Sequence, residues 1–216
     1  MKQLVSGIVI ATLMTVGAMD AMAAEEAKYE VIEADGNFEI RDYAAHVVAE
    51  TIVDGSLEEA GSKAFSRLFG YISGDNQSRD KVAMTAPVSQ QPTGEKIAMT
   101  SPVGQQRVDE MWAVSFTMPA SYTLQTLPEP DDPEVTLRQV PAKRMASVRY
   151  SGFWSEKNYL RYKAELESWI DRMGLNIVGD VIWARYNAPF TPWFLRRNEI
   201  LIPVDGGTGV VSPEQS

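Results

Sequence analysis

Apolar and polar positions along the chain change period several times, and each change marks an element. "NFEIRDY" (37–43) and "HVVAETIV" (46–53) alternate with period two, which predicts two β-strands joined by the short link Ala44-Ala45. In "SLEEAGSKAFSRLFGYISG" (56–74), Leu57, Ala60, Ala64, Phe65, Leu68, Phe69 and Ile72 recur at helical spacing. Ser56 with Glu59 forms a capping box and Gly74 supplies a left-handed stop, so this stretch predicts a helix with one apolar stripe. Strands are expected again through 81–88 and 96–103 and in "WAVSFTM" (112–118), and the Pro- and Asp-rich "PASYTLQTLPEPDDP" (119–133) predicts an ordered loop or linker.

The pattern then restarts. "EVTLRQV" (134–140) and "RMASVRYSG" (144–152) predict strands, and "SEKNYLRYKAELESWIDRMG" (155–174) a helix. Its cap is Ser155, its stripe Tyr159, Tyr162, Leu166, Trp169, Ile170 and Met173, and its stop Gly174. "VIWARYN" (181–187) and "NEILIPV" (198–204) complete the set. Aligning Phe38–Tyr43 with Val135–Val140, a shift of 97, superposes the apolar positions, Arg41 with Arg138, Ala45 with Ala142 and Ala49 with Ala146. Both halves read strand, strand, helix, strand, strand. The expected fold is therefore α+β: two pseudo-symmetric β-α-β halves whose strands join into one curved antiparallel sheet or distorted β-barrel, flanked by two helices.

The ends of the chain stand outside this pattern. A basic start (Met1-Lys2), an apolar run at 4–19 and the small-x-small triplet Ala21-Met22-Ala23 predict a secretory signal peptide, residues 1–23, cut after Ala23. The domain is expected over 24–204, with a disordered tail over 205–216. Export without a single cysteine points to a bacterial periplasm and a core that stands without disulfides. No later segment predicts stable membrane insertion after that cleavage. The formal net charge of −9 repels phosphate backbones and argues against nucleic acid as a partner.

Inventory excludes most catalytic chemistry. The chain has one histidine, His46, and no cysteine, too few ligands for a His/Cys metal site, and no G-x-S-x-G elbow accompanies the histidine. The chain is therefore not expected to be an enzyme acting through its own side chains.

Two segments instead suggest binding. "KVAMTAPV" (81–88) returns as "KIAMTSPV" (96–103), placing Met84 and Met99 and the polar Thr85 and Thr100 in equivalent positions. Met84 and Met99 either fill the core or wall a site for a flat, polarizable ligand; methionine is also an axial ligand type for heme iron. In "YNAPFTPWFLRRNE" (186–199), Tyr186, Phe190 and Trp193 lie on a proline-stiffened aromatic loop followed by Arg196 and Arg197. The arginines suit a planar apolar ligand bearing carboxylates, or alternatively bond to Glu199 and backbone carbonyls beneath a loop that packs over a sheet edge.

The stretches 29–51, 64–76, 81–88, 96–103, 114–119, 127–135 and 186–200 together resemble the SOUL heme-binding protein family. That resemblance implies heme or another tetrapyrrole in an exposed apolar cleft between the first helix, at Phe65 and Phe69, and the loop Tyr186–Trp193. Asp42 stands where some members carry an iron-ligating histidine, with His46 four residues on. Ser62 and Gly70 replace basic residues of the first helix, with Lys63 and Arg67 nearest. The expectation is an exported carrier, buffer or scavenger of heme or a related tetrapyrrole. The alternatives are a module of the same fold for another hydrophobic ligand or a protein partner, and a heme-dependent peroxidase-like enzyme with His46 as its acid/base.

Overall fold

The computed structural model describes residues 24–79 and 94–205. The leader and tail, and the first of the two Met-Thr segments with Met84, lie outside them. In chain order the elements are β1 (Glu25–Glu26), β2 (Tyr29–Asp35), β3 (Phe38–Tyr43), β4 (His46–Val53), α1 (Leu57–Ser73), β5 (Asn76–Gln77), β6 (Thr100–Ser101), β7 (Val103–Val108) and β8 (Met111–Thr117). After a loop come β9 (Glu129–Pro130), β10 (Thr136–Val140), β11 (Lys143–Tyr150), α2 (Glu156–Arg172), β12 (Asn176–Ile177), β13 (Ile182–Arg185) and β14 (Asn198–Asp205).

One ten-stranded sheet carries the fold, in the order β10-β4-β8-β7-β13-β14-β11-β3-β2, with β12 added on β14. Its ladders are antiparallel. β3 and β4 do not pair with each other. Instead β3 pairs with β11 and β4 with β10, in one continuing register: Phe38 faces Val148, Tyr43 faces Lys143, His46 faces Val140 and Glu50 faces Thr136. The links Ala44-Ala45 and Pro141-Ala142 therefore lie opposite each other, at equivalent positions of the 97-residue repeat. This diagonal ladder ties the wing β4-β8-β7 to the wing β13-β14-β11 and curves the sheet; no further ladder joins the ends of the strand order among the described residues.

Both helices lie on one face. The Ser56–Glu59 capping box forms as its spacing dictates, and Gly74 closes α1 at φ 125°, a backbone favourable only to glycine. Leu57, Ala60, Ala64, Leu68 and Ile72 pack on Val47, Ala49, Val53, Val114 and Phe116. Phe69 departs from the expected stripe and is 47% exposed. On α2, Leu166, Trp169 and Ile170 are buried against the sheet, with Tyr159, Tyr162 and Met173 at the margin. The Pro/Asp-rich passage is an ordered loop that buries Leu127 and pairs β9 with β5.

Candidate functional site

Period-two alternation sends Val103 and Gln105 of β7 and Trp183 and Arg185 of β13 to the helix-bearing face. α1 packs on β4 and β8 and α2 on β11 and β14, so the paired strands β7 and β13 floor the groove between the helices. Arg185 rises from this floor. Its Nη2 donates to Gln105 Oε1 at 2.9 Å, and Gln105 in turn donates to the Leu57 carbonyl at 2.8 Å. The guanidinium lies 5.3 Å from the Trp154 ring and 5.1 Å from the Trp183 ring. Gly61 of α1 admits it: a Cβ there would stand 2.5 Å from Nη2. Burial pulls the Arg185 pKa down to about 10, partly opposed by the Tyr150 hydroxyl, so the group remains a cation at neutral pH.

Aromatic side chains border the groove. On α1, Phe65 stacks on Phe69 at 5.8 Å and meets Phe116 edge-on at 5.4 Å. At the far side, Trp193 stacks on Phe153 at 5.2 Å and meets Phe194 edge-on at 5.5 Å. Phe190 is 89% exposed, and Trp193, Phe194 and Leu195 are exposed as well. Proline at 192 and the 3-10 turn Trp193–Leu195 hold this apolar rim outward.

The two arginines after the rim have internal partners. Arg196 donates to the carbonyls of Thr191 and Pro189, at 2.8 and 2.7 Å, and lies 4.3 Å from the Trp154 ring. Arg197 pairs with Glu199 at 2.9 Å and Glu26 at 2.8 Å. It lies on the opposite face of the sheet, where Tyr186 donates to Glu199 at 2.8 Å. Tyr186 thus anchors the loop from beneath. The basic residues of α1 are also engaged, Lys63 with Asp54 and Arg67 with Asp132 and Glu134.

His46 does not share this groove. It lines a cleft of about 460 Å³ on the helix-free face, with Val48, Ile52, Ala113, Met145 and Leu201, and its Nδ1 lies 2.9 Å from the Ala44 carbonyl oxygen. Asp42 is ion-paired with Arg144 at 2.7 Å. Met99 is 41% exposed, on the segment whose Ile97 amide donates to the Ile72 carbonyl at the end of α1. The neighbouring Thr100 is buried, and its hydroxyl donates to the Thr117 carbonyl, which gives that polar residue of the repeat a structural task.

The structure thus brings Phe65, Phe69 and the Phe190/Trp193 rim to one face, and sends His46, Tyr186 and Arg197 to the other. Arg185, Gln105 and Trp154 were not singled out from sequence. The available signal was Arg185 itself, an arginine two residues after Trp183 on the inward phase of an alternating strand.

A duplicated α+β module, with two helices on one face of a curved antiparallel sheet, is the class this architecture defines. The chain belongs to the SOUL heme-binding protein family, whose model matches residues 24–203. It is 24% identical over 150 residues to Heme-binding protein 1 of Mus musculus, covering 69% of this chain and 74% of that protein. Against Heme-binding protein 1 of Xenopus tropicalis the figures are 26% over 170 residues, 78% and 84%. Among solved structures, a hydrolase from Listeria innocua aligns with a TM-score of 0.55 at 15% identity, over 81% of this chain and 94% of that one. The C-terminal domain of EcmrR aligns with a TM-score of 0.52 at 10% identity, over 82% and 98%. At those identities the likeness concerns the fold alone.

The donor set fits a tetrapyrrole of the kind the family implies. Exposed stacked aromatics can cover a porphyrin plane, and the groove floor carries a cation with no carboxylate partner among the described residues. The single histidine lies on the other face, so it is not placed to ligate iron in this groove.

Proposed function

We propose that the protein binds heme or a related tetrapyrrole on its helix-bearing face and acts as a carrier, buffer or scavenger rather than as a catalyst. The observation that carries this reading is the aromatic surface on both sides of the groove: Phe65 and Phe69 on α1, and Phe153, Phe190 and Trp193 opposite. Such rings gain both area burial and stacking from a flat ligand, on the order of 1 kcal/mol per stacked pair beyond burial. Bound heme would supply redox-active iron; the chain's own contribution is an apolar wall and a charged floor. The leader-like residues 1–23 support export to the periplasm, and a mature chain beginning at Ala24 in a periplasmic fraction, read by intact mass, tests that part.

Titrating residues 24–216 with hemin, followed by absorption, tests binding. A saturable one-to-one shift of the Soret band that Phe69→Ser with Trp193→Ser weakens at least tenfold is expected. A non-saturating response, or one that ignores both substitutions, counts against the reading.

One observation favours a second reading, a module for another hydrophobic ligand. The helix-free cleft of about 460 Å³ is within the size range of small-molecule sites and has a largely apolar wall. Ile52 lines it and is 44% exposed, so Ile52→Arg obstructs the cleft without disturbing the core. Hemin binding lost in Ile52→Arg and kept in Phe69→Ser would move the ligand to this face.

A further inference from the structure

We infer that Arg185, and not the Arg196–Arg197 pair, is the group that receives a carboxylate of the ligand. This inference rests on the tetrapyrrole reading above and specifies its polar recognition.

Lys63 and Arg67 of α1, Arg196 after the rim and Arg197 on the opposite face already have partners within the protein. Lys63, Arg67 and Arg197 face carboxylates at 2.5 to 3.0 Å, and Arg196 has both a stacked ring and two carbonyl acceptors. Arg185 differs from all of them. It has no ion pair among the described residues, one side-chain acceptor in Gln105, and a buried Nε without any acceptor. Trp183 Nε1 and the Tyr150 hydroxyl, both buried beside it, also make no hydrogen bond of good geometry among the described residues, and the hydroxyl is the one further neutral acceptor that this group of atoms contains. A guanidinium in such a place is costly unless an anion arrives, and a carboxylate offers two acceptor oxygens that match its planar fork.

The surroundings hold the group for that purpose. Gln105, fixed by its own bond to the Leu57 carbonyl, orients Nη2. Glycine inside a helix is unfavourable relative to alanine, yet α1 has Gly61 where any Cβ would strike Nη1 and Nη2, at 2.9 and 2.5 Å. Arg185 remains partly exposed, in the groove between the aromatic walls. A planar ligand stacked on that rim can direct an acidic substituent down to the floor.

The test compares protoporphyrin IX with its dimethyl ester, which keeps the ring and removes the charges. Fluorescence titration of wild type is expected to show at least a tenfold preference for the free acid. Arg185→Met is expected to abolish that preference by weakening the acid and leaving the ester unchanged, while Arg196→Met retains it. Gly61→Ala, which displaces the guanidinium without removing it, is expected to reduce the preference as well, and it decides the question if Arg185→Met does not fold. If wild type binds both porphyrins equally, or if the preference survives in Arg185→Met or Gly61→Ala, Arg185 is not the carboxylate anchor although tetrapyrrole binding stands. If wild type binds neither, the tetrapyrrole reading itself falls, and this inference with it.

Discussion

Arg41 on β3 and Glu199 on β14 form a buried ion pair, 2.7 Å from Nη1 to Oε2, with their side chains 3% and 0% exposed. A second bond runs from Nη2 to Oε1 at 3.2 Å, and Arg197 and Tyr186 bond to the same carboxylate. Removing the carboxylate leaves both Arg41 terminal nitrogens without their acid, with Glu39 still bonded to Nε at 2.6 Å. Glu199→Ala is therefore expected to cost about 3–5 kcal/mol, read from the urea midpoint, whereas Arg41→Met with Glu199→Leu together should cost far less. Equal losses in the single and double variants would contradict this account.

The same cluster sets a pH response. Burial alone would raise the Glu199 pKa, but the Arg41 hydrogen bond and the charges of Arg41 and Arg197 outweigh it and hold the group below the usual carboxylate range. A depressed folded-state pKa gives stability that is fully present above the unfolded value, about 4.3, and is lost as pH falls through the folded value. Thermal midpoints should accordingly fall with pH below about 4. Glu199→Leu, tested in the Arg41→Met background, should show a flatter profile there.

Leu68 and Phe69 are adjacent on α1 and should behave oppositely. Leu68 is 0% exposed, so Leu68→Ala is expected to cost about 2–5 kcal/mol. Phe69→Ala should cost less than about 1 kcal/mol and instead weaken hemin binding. A stability loss at Phe69 comparable to that at Leu68 would assign Phe69 to the core.

Replacing Arg185 should separate stability from binding. Because its guanidinium lacks a carboxylate among the described residues, Arg185→Met is expected to leave the urea midpoint unchanged or raised, as when buried charge gives way to an apolar side chain. A loss above about 1 kcal/mol would indicate that the Trp154, Trp183 and Gln105 contacts hold the fold rather than the ligand.

His46→Ala is expected to leave both the affinity for hemin and the spectrum of the complex unchanged. The ring lines the helix-free cleft and faces the Ala44 carbonyl, away from the aromatic rim. A displaced Soret band or a large loss of affinity would relocate the ligand.

Local chemistry was legible in the residue order. Capping at Ser56 and Ser155, the stripes of both helices apart from Phe69, alternation in β4 and β11 and the repeat between the halves need only near neighbours in the chain. They follow from side-chain periodicity and backbone preference. Pairing partners and side-chain commitments did not follow, because they depend on residues far apart. No local rule says that β3 bypasses β4 to pair with β11, or that His46 and Arg185 point to opposite faces of one sheet. Nor does local order reveal that Arg197 is neutralised by Glu26, 171 positions away, while Arg185 meets no carboxylate among the described residues. Charge compensation is a property of three-dimensional proximity. It was therefore the folded arrangement that separated Arg197, paired within the protein, from Arg185, which has no ion pair among the described residues.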